Sequence, residues 1–574
     1  MKQIMNVFGS RYNSVRTNVC DNGTFESLAV NRKNLTRQFS IVDSFFHQRK
    51  KGERTRYPKS NFILMATGLV SICLGVMSHI CNPYMFIFKW KLVFENGGEI
   101  FELWRTPPVD LYIRIFLFNV TNAEQYLNGA EEKMVFEEVG PFVYRELLSH
   151  ENITFNDNGT LSTKPSHPLV FQEHLSGGHK EEDLFYLPNI ALLSIAQVAS
   201  RHNYLIRLPL NLLIRQTKTL PLEKQTARQF MFGYETTLTT LGNTFLPNWI
   251  SFNKVGLIDR MYDFDDDFET FYTGVGDESL SGLYESYLGS SKLIQWEGEH
   301  CSNIRNASDG TKFKSFIKDD EQLLFFRKSM CRPQRMVQSG NDYEVDGIQA
   351  TKFVFEENAL DNGQTDARNR CFCRKGECLA RGLIDVTDCY YGFPIALSYP
   401  HFYDGDPALL TKIRGLHPNE SLHSSYFMIN SISGLPLQLS VKFQINMAMG
   451  DISNMAECER FANIVIPTLW FEITMLQLPK NLRNRFLFYL NYLWIFDRIV
   501  YFILLVGGTL LLLFAVIRVS LSLSLELSSR SISNRRKGSL IPQKCQESRR
   551  NSVLKNNTSK LEKGSDQEKE HFLA

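Results

Sequence analysis

Two long apolar runs frame the chain, and the polar–apolar pattern between them changes character several times. Residues 62–88 (FILMATGLVSICLGVMSHICNPYMFIF) and 499–517 (IVYFILLVGGTLLLLFAVI) contain no Asp, Glu, Lys or Arg. Each predicts a helix long enough to cross a bilayer, because a core helix of that length keeps polar residues on at least one face. Past the first run, Leu111, Ile113, Ile115 and Leu117 alternate with Tyr112, Arg114 and Phe116, the two-residue period of a strand. Residues 134–147 (MVFEEVGPFVYREL) predict two short strands separated by Gly140-Pro141. The period then lengthens. Leu192, Leu193, Ile195, Ala196 and Val198 predict a helix over 189–200, and 204–217 predict a second apolar segment interrupted by Pro209. Beyond Ser302, short strand-like runs alternate with Gly, Pro and Asn turns as far as Trp470. Many short strands plus one helical cluster predict an α+β domain between the two runs. Residues 1–60 are polar and aperiodic, the pattern of a disordered tail.

Composition supports a large core: 43% of the 574 residues are hydrophobic, and 43 residues are Phe. The net charge of +2 leaves no basic excess for nucleic acid as the main partner. Charge matters more at the ends of the apolar runs. Arg49, Lys50, Lys51, Arg54, Arg56 and Lys59 precede the first, and Arg518, Arg530, Arg535, Arg536 and Lys537 follow the second. Cations stay on the cytoplasmic side of a membrane, so both termini are expected inside. The chain then divides into a cytoplasmic tail (1–60), a membrane helix (61–88), an extracellular or lumenal ligand-binding ectodomain (89–498), a second membrane helix (499–517) and a cytoplasmic tail (518–574). No cleavable signal peptide is expected, because the first apolar run starts only at Phe62.

Four cysteines, Cys371, Cys373, Cys378 and Cys389, crowd together, with Cys301 and Cys331 upstream. Zinc knuckles use paired C-x2–4-C spacings, which Cys371-x-Cys373 fits poorly. An oxidising compartment turns six clustered cysteines into three disulfides, and spacing alone leaves the pairing open. Cys458 is left over. Glycosylation acceptors stand at Asn119, Asn152, Asn158, Asn306 and Asn419. No G-x-S-x-G elbow occurs, His174 and His179 flank a turn, and Asp263–Asp267 lacks the spacing of a calcium loop, which predicts a solvated acidic loop. No enzyme activity, metal or cofactor is expected. Between Arg201 and Arg228 the only acid is Glu223, against Arg207, Arg215, Lys218 and Lys224. On composition that stretch is either a solvated helical face or a docking surface for anionic ligands.

Several motifs in order resemble the class B scavenger receptor family: IFLFNVTN (115–122), EEVGPFVYRE (137–146), RQFMFGYE (228–235), WEGEHC (296–301), the CFC cluster, GFPIALSYPHF (392–402), GLHPNESLH (415–423) and IVIPTLWFE (464–472). The resemblance covers about residues 62–517. It implies an antiparallel β-barrel-like ectodomain with an apical helical bundle and an apolar tunnel leading toward the membrane. It also implies the pairs Cys301–Cys371, Cys331–Cys389 and Cys373–Cys378, and ligand docking at Arg201, Arg207, Arg215 and Lys218. The implied function is a cell-membrane scavenger-type receptor that binds lipidic or polyanionic ligands (lipoproteins, lipid-carrying proteins, fatty acids, phospholipids, carotenoid- or sterol-like lipids) and mediates their uptake or transfer through the tunnel. Two alternatives are a lysosomal or endosomal protein escorting lumenal cargo and a sensory co-receptor for lipidic pheromones. Leu540-Ile541 has Arg536 where the family's lysosomal sorting signal carries an acid, which favours the cell surface. Tyr12-Asn13-Ser14-Val15 matches a tyrosine-based endocytic pattern, and Gly68, Gly75 and Gly507-Gly508 are candidate contacts for a homo-oligomer.

Overall fold

A computed structural model describes residues 59–235, 254–390 and 392–537. Cys20, Cys545 and the tail motifs at Tyr12 and Leu540-Ile541 lie outside the described residues. The described residues form two compact units, one of those up to Gly75 with those from Phe502 onward, the other within Val76–Tyr501.

In the first unit, two helices that are long and apolar enough to cross a membrane run side by side. The first helix, Lys59–Cys81, ends where Asn82 adopts a left-handed conformation (φ 47°, ψ 66°) and Pro83 opens a new helix, so the run 62–88 is two helices rather than one. Pro83 disfavours a helical backbone at the residue before it, and Asn is among the few residues that tolerate the left-handed region. The second helix extends from Leu493 to Lys537, past the end of the apolar run. Small residues let the pair approach closely. A Cβ on Gly508 would stand 2.8 Å from Gly68 O, and one on Gly75 would lie 3.5 Å from Leu504 Cβ, whereas Gly507 has open space beside it. Three of the four glycines considered for oligomer contacts are thus spent on packing the chain's own two helices.

The second unit is built on one large sheet. Its main path contains β1 (Leu111–Val120), β2 (Met134–Glu146), β3 (Leu323–Phe325), β4 (Gln334–Val345), β5 (Ile348–Phe355), β6 (Ile413–Arg414), β7 (Tyr426–Ile429), β8 (Pro436–Ala448) and β9 (Val465–Met475). The order is β3-β4-β5-β7-β8-β9-β1-β2-β6, antiparallel except for the β2–β6 pair. Among the described residues its end strands, β3 and β6, do not pair with each other, so the sheet is open rather than a closed barrel. β2 is also one strand, not two. Leu117 pairs with Val139 and Ile115 with Phe142, so Gly140 and Pro141 together face Phe116 in a bulge. That is where a strand can hold a residue with no N–H to donate. Gly140 has φ 150°, and a Cβ there would lie 2.7 Å from Ile115 O.

Strand alternation sorts the central sheet into two faces. Leu111, Leu439, Val441, Phe443, Phe471 and Ile473, all odd-numbered, point into one apolar interior. The even-numbered face holds a cross-strand charge group: Arg114 Nη1 lies 2.8 Å from Glu472 Oε2, and Lys442 Nζ 3.7 Å from Glu472 Oε1. Beside it, Phe116 and Trp470 stack at 4.1 Å, and the Trp470 indole N–H donates to Glu138 at 2.8 Å.

The helical part, Ile190–Ala199 and Tyr204–Thr217, is fastened by the hairpin Leu184–Pro188 with Leu222–Thr226. Asn189 and Asn203 cap the two helices by accepting the backbone N–H of Leu192 and Ile206. Pro209 does not interrupt the second helix. The carbonyl it fails to bond is that of Leu205, whose side chain is 77% exposed, on a turn open to solvent.

Candidate ligand cavity and docking surface

Behind the odd-numbered face lies a cavity whose volume, counting the part open to solvent, is about 1180 Å³. The sheet supplies one wall, and Leu103, Trp104, Met261, Leu482 and Phe486 contribute to the others. Its lining is mainly aliphatic and aromatic, with one polar region formed by Glu146, Asp309, Thr311 and Arg327.

Glu146 follows Phe142 and Tyr144 on the inward face of β2, which carries its carboxylate into the interior. The Arg327 guanidinium donates to Glu146 Oε1 at 2.5 Å, His167 Nδ1 lies 2.6 Å from the same oxygen, and the Tyr262 hydroxyl donates to Oε2 at 3.3 Å. Burial opposes ionisation of Glu146, but Arg327 and His167 outweigh it and hold the carboxyl down at about 2. Burial pushes the His167 imidazole below its ordinary value. Asp309 is fixed by the Thr311 N–H at 2.8 Å, with His150 Nε2 3.4 Å away, and His150 stacks on Trp104 at 3.8 Å. Against the opposing effect of burial, these neighbours keep the Asp309 carboxyl below the usual carboxylate range.

Of these four polar lining residues only Glu146 falls in a quoted motif, as the last residue of EEVGPFVYRE, and nothing in that motif marks it as facing a cavity. The available signal was periodicity: a glutamate at the position where a strand's inward face continues is a buried charge that needs a partner. The acidic run upstream corrects another expectation. Asp265 and Asp266 are exposed, but Asp267 is buried and paired with Lys328 at 2.8 Å, so the run is not simply a solvated loop.

Arg207 and Arg215 lie on the helix Tyr204–Thr217, Lys218 is its C-cap and Arg201 precedes it. Arg201, Arg215 and Lys218 are exposed and Arg207 is half-buried. None forms an ion pair with a described residue, whereas Arg228 is paired with Glu181 at 2.6 Å. Glu223 does not neutralise them: it accepts from the Tyr234 hydroxyl and the Gln225 amide, each at 2.8 Å. The same helix exposes Tyr204, Leu205, Leu208 and Leu212, at 63%, 77%, 39% and 58%. The sequence marks this stretch only as an apolar segment, and the structure turns these leucines outward.

The structure bonds Cys301 to Cys371, Cys331 to Cys389 and Cys373 to Cys378. Trp296 of the WEGEHC motif packs against Phe372 at 5.4 Å and donates its indole N–H to Cys331 O at 2.6 Å. Cys458 is a free thiol buried in the core, pushed up to about 12 by its burial. No group of side chains suited to a metal ion occurs among the described residues.

A sequence model of the CD36 family matches residues 62–519. The chain belongs to the CD36 family. That is the class B scavenger receptor family which the motif order resembles, and the two terminal apolar helices make this member a membrane protein. Scavenger receptor class B member 1 of Sus scrofa is 30% identical over 425 residues, covering 73% of this chain and 82% of the relative. The Mus musculus protein of that name is 31% identical over 414 residues, covering 71% and 79%. Lysosome membrane protein 2 of Homo sapiens is 30% identical over 434 residues, covering 73% and 85%.

The acceptor asparagines differ in how the family member presents them. Asn152, Asn158, Asn306 and Asn419 are exposed. Asn119 is half-buried within β1 and its side-chain carbonyl accepts the Tyr186 N–H at 3.0 Å. Glycopeptide mass spectrometry is expected to find glycan at the four exposed asparagines and an essentially unmodified Asn119.

Proposed function

We propose that this CD36-family protein is a lipid-handling receptor of the cell membrane, non-enzymatic, with both termini cytoplasmic and residues 89–498 outside. The observation that carries this reading is the mainly apolar cavity lined by the inward face of the large sheet. Anionic particles such as lipoproteins, or lipid-carrying proteins, dock on the surface bearing Arg201, Arg207, Arg215 and Lys218. The unpaired cations attract the particle, and the outward leucines of the same helix meet its apolar surface. Cargo then moves into the cavity, where each buried methylene contributes about 0.8 kcal/mol and long chains are favoured over short ones. Leu482 and Phe486 line the cavity just ahead, in sequence, of the second apolar helix, which is consistent with a tunnel that delivers cargo toward the membrane. Release into the outer leaflet down a gradient requires no bond to be made or broken.

Reversing the three exposed cations together (Arg201→Glu, Arg215→Glu, Lys218→Glu) tests the docking step. Uptake of an anionic lipoprotein by expressing cells is expected to fall by about tenfold or more at physiological salt, with surface expression retained. Unchanged uptake would remove this surface from the mechanism. The relatives named lysosome membrane proteins favour a second reading, a lysosomal or endosomal membrane protein escorting lumenal cargo. Imaging a tagged full-length chain against lysosomal markers separates the two.

A further inference from the structure

A second groove, about 540 Å³ counting the part open to solvent, lies beside β3 and differs in lining from the large cavity. Half-buried Leu280 and Leu324, with the buried Leu283 and Phe313, form its apolar part. Lys314, Glu321 and Gln322 form its polar part, Lys314 being paired with Glu321. Asn306 lines the same groove, and it is the acceptor of the sequon Asn306-Ala307-Ser308. The backbone around it is pinned on both sides: Asn306 N–H donates to Tyr284 O at 2.8 Å, and Ser308 N–H donates to Leu324 O at 2.8 Å. Asn306 takes the left-handed conformation (φ 65°), which Asn tolerates better than most residues. Its side chain makes no hydrogen bond among the described residues. By contrast, Asn158 Oδ1 accepts from the Thr160 hydroxyl at 2.7 Å, and Asn419 Oδ1 accepts from the Ser421 N–H at 2.9 Å. Neither of those two, nor Asn152, lines this groove.

We propose that this groove seats the first N-acetylglucosamine units of the glycan attached to Asn306. Such a sugar has an apolar face of ring C–H groups and a rim of hydroxyl and acetamido groups, so it needs apolar and hydrogen-bonding surface side by side. Leu280 and Leu324 offer the first, and the Gln322 amide with the Lys314–Glu321 pair offers the second. The sugar arrives already tethered. Attachment to a lining residue makes the contact intramolecular, so an affinity too weak to hold a free sugar suffices. The pinned backbone at Asn306 helps further, because little freedom remains to be lost when the sugar settles. Once seated, it keeps the groove's apolar part from water.

This inference rests on residues 89–498 facing the side of the membrane where glycans are added, and the experiment separates the two claims. Full-length protein from mammalian cells, held in mild detergent, is treated with peptide-N-glycosidase F, which cuts at the Asn–sugar bond. Release at each acceptor is followed by mass spectrometry. Under native conditions release at Asn306 is expected to be slower than at Asn152, Asn158 and Asn419 by about tenfold or more, since the enzyme acts only on the unseated fraction. Prior denaturation is expected to bring the four sites to similar rates. Gln322→Trp separates seating from mere crowding: the larger ring takes the sugar's place, and release at Asn306 is expected to rise toward that of the other sites. Leu280→Ala acts in the same direction by removing apolar contact, and it supplies the comparison should the first variant fail to fold. Equal native rates at the four sites, a difference that survives denaturation, or protection unmoved in a folded variant of either kind overturns the proposal. So does an Asn306 without glycan beside a glycosylated Asn152. If none of the four asparagines carries a glycan, the placement of residues 89–498 outside falls with it.

Discussion

Replacing Arg327 with methionine is expected to leave most of the protein unfolded or retained before it reaches the cell surface. Glu146 is buried, with only 2% of its surface exposed, and Arg327 is its permanently charged partner there, acting together with His167. Removing one member of a buried ion pair costs about 3–5 kcal/mol, because the remaining charge has neither water nor counterion. A domain with a total stability on the order of 5–15 kcal/mol loses much of its margin. Surface biotinylation with a thermal melt of the purified protein reads the effect directly. A size-matched apolar pair, Glu146→Met with Arg327→Met, is expected to recover a substantial part of the loss, because it removes the stranded charge as well as the bond. If the single variant melts with the wild type, the pair has no structural weight.

The same group fixes a pH window. The folded carboxyl of Glu146 is held at about 2, below its ordinary value. A depressed carboxyl contributes stability that is present above its unfolded value, about 4.3, and is lost only as the pH falls toward the folded one. Between neutral and lysosomal pH the contribution is therefore constant. It disappears in the acid range between about 4 and 2, where circular dichroism should show its loss.

The second large effect concerns the three disulfides, which are expected to be unequal. Cys301–Cys371 and Cys331–Cys389 close chain separations of 70 and 58 residues, and Cys373–Cys378 closes only 5. If a bridge acts mainly by restricting the unfolded chain, each long one contributes about 4 kcal/mol and the short one about 2 kcal/mol. The long pairs carry packing as well. Cys331 O accepts the Trp296 indole N–H, and Trp296 is held against Phe372 between Cys371 and Cys373. Opening either long bridge loosens this wedge. Paired Cys→Ala replacements compared by denaturant midpoint should therefore rank the short bridge as clearly the least costly. An equal loss from all three would contradict the ranking.

Local pattern carried much of the architecture. The alternation at Leu111–Leu117 is the inward face of β1, and the uncharged run from Ile499 lies within one long helix. Where the pattern misled, a specific residue was absorbed by its surroundings. Pro141 sits in a bulge opposite Phe116, and Pro209 frees a carbonyl on an exposed turn, so neither ends its element. Asn82-Pro83 did break a helix, although hydropathy runs smoothly across it.

The cavity was not legible in the same way, because no short window contains it. Its walls join Leu111 to Phe471 and Phe443, and its charge pair joins Glu146 to Arg327, partners 181 residues apart. Sheet order makes neighbours of the strands bearing Leu111, Phe471 and Phe443, whereas Glu146 and Arg327 belong to segments near opposite ends of that order and meet through packing across the interior. The cations at Arg201, Arg207, Arg215 and Lys218 were visible as an acid-poor stretch, but composition leaves open whether such a stretch is merely solvated. Their lack of ion-pair partners among the described residues, beside exposed Leu205, Leu208 and Leu212, is what favours docking.

The central claim, that lipid cargo occupies the cavity behind β8 and β9, is tested most directly by native mass spectrometry of the full-length protein and its Val441→Trp variant. Val441 lines the cavity, and the larger ring fills space that cargo needs. Wild type released from membranes by mild detergent is expected to carry adducts of lipid mass that the folded variant lacks. Identical adducts on both, or none on either, would contradict the claim.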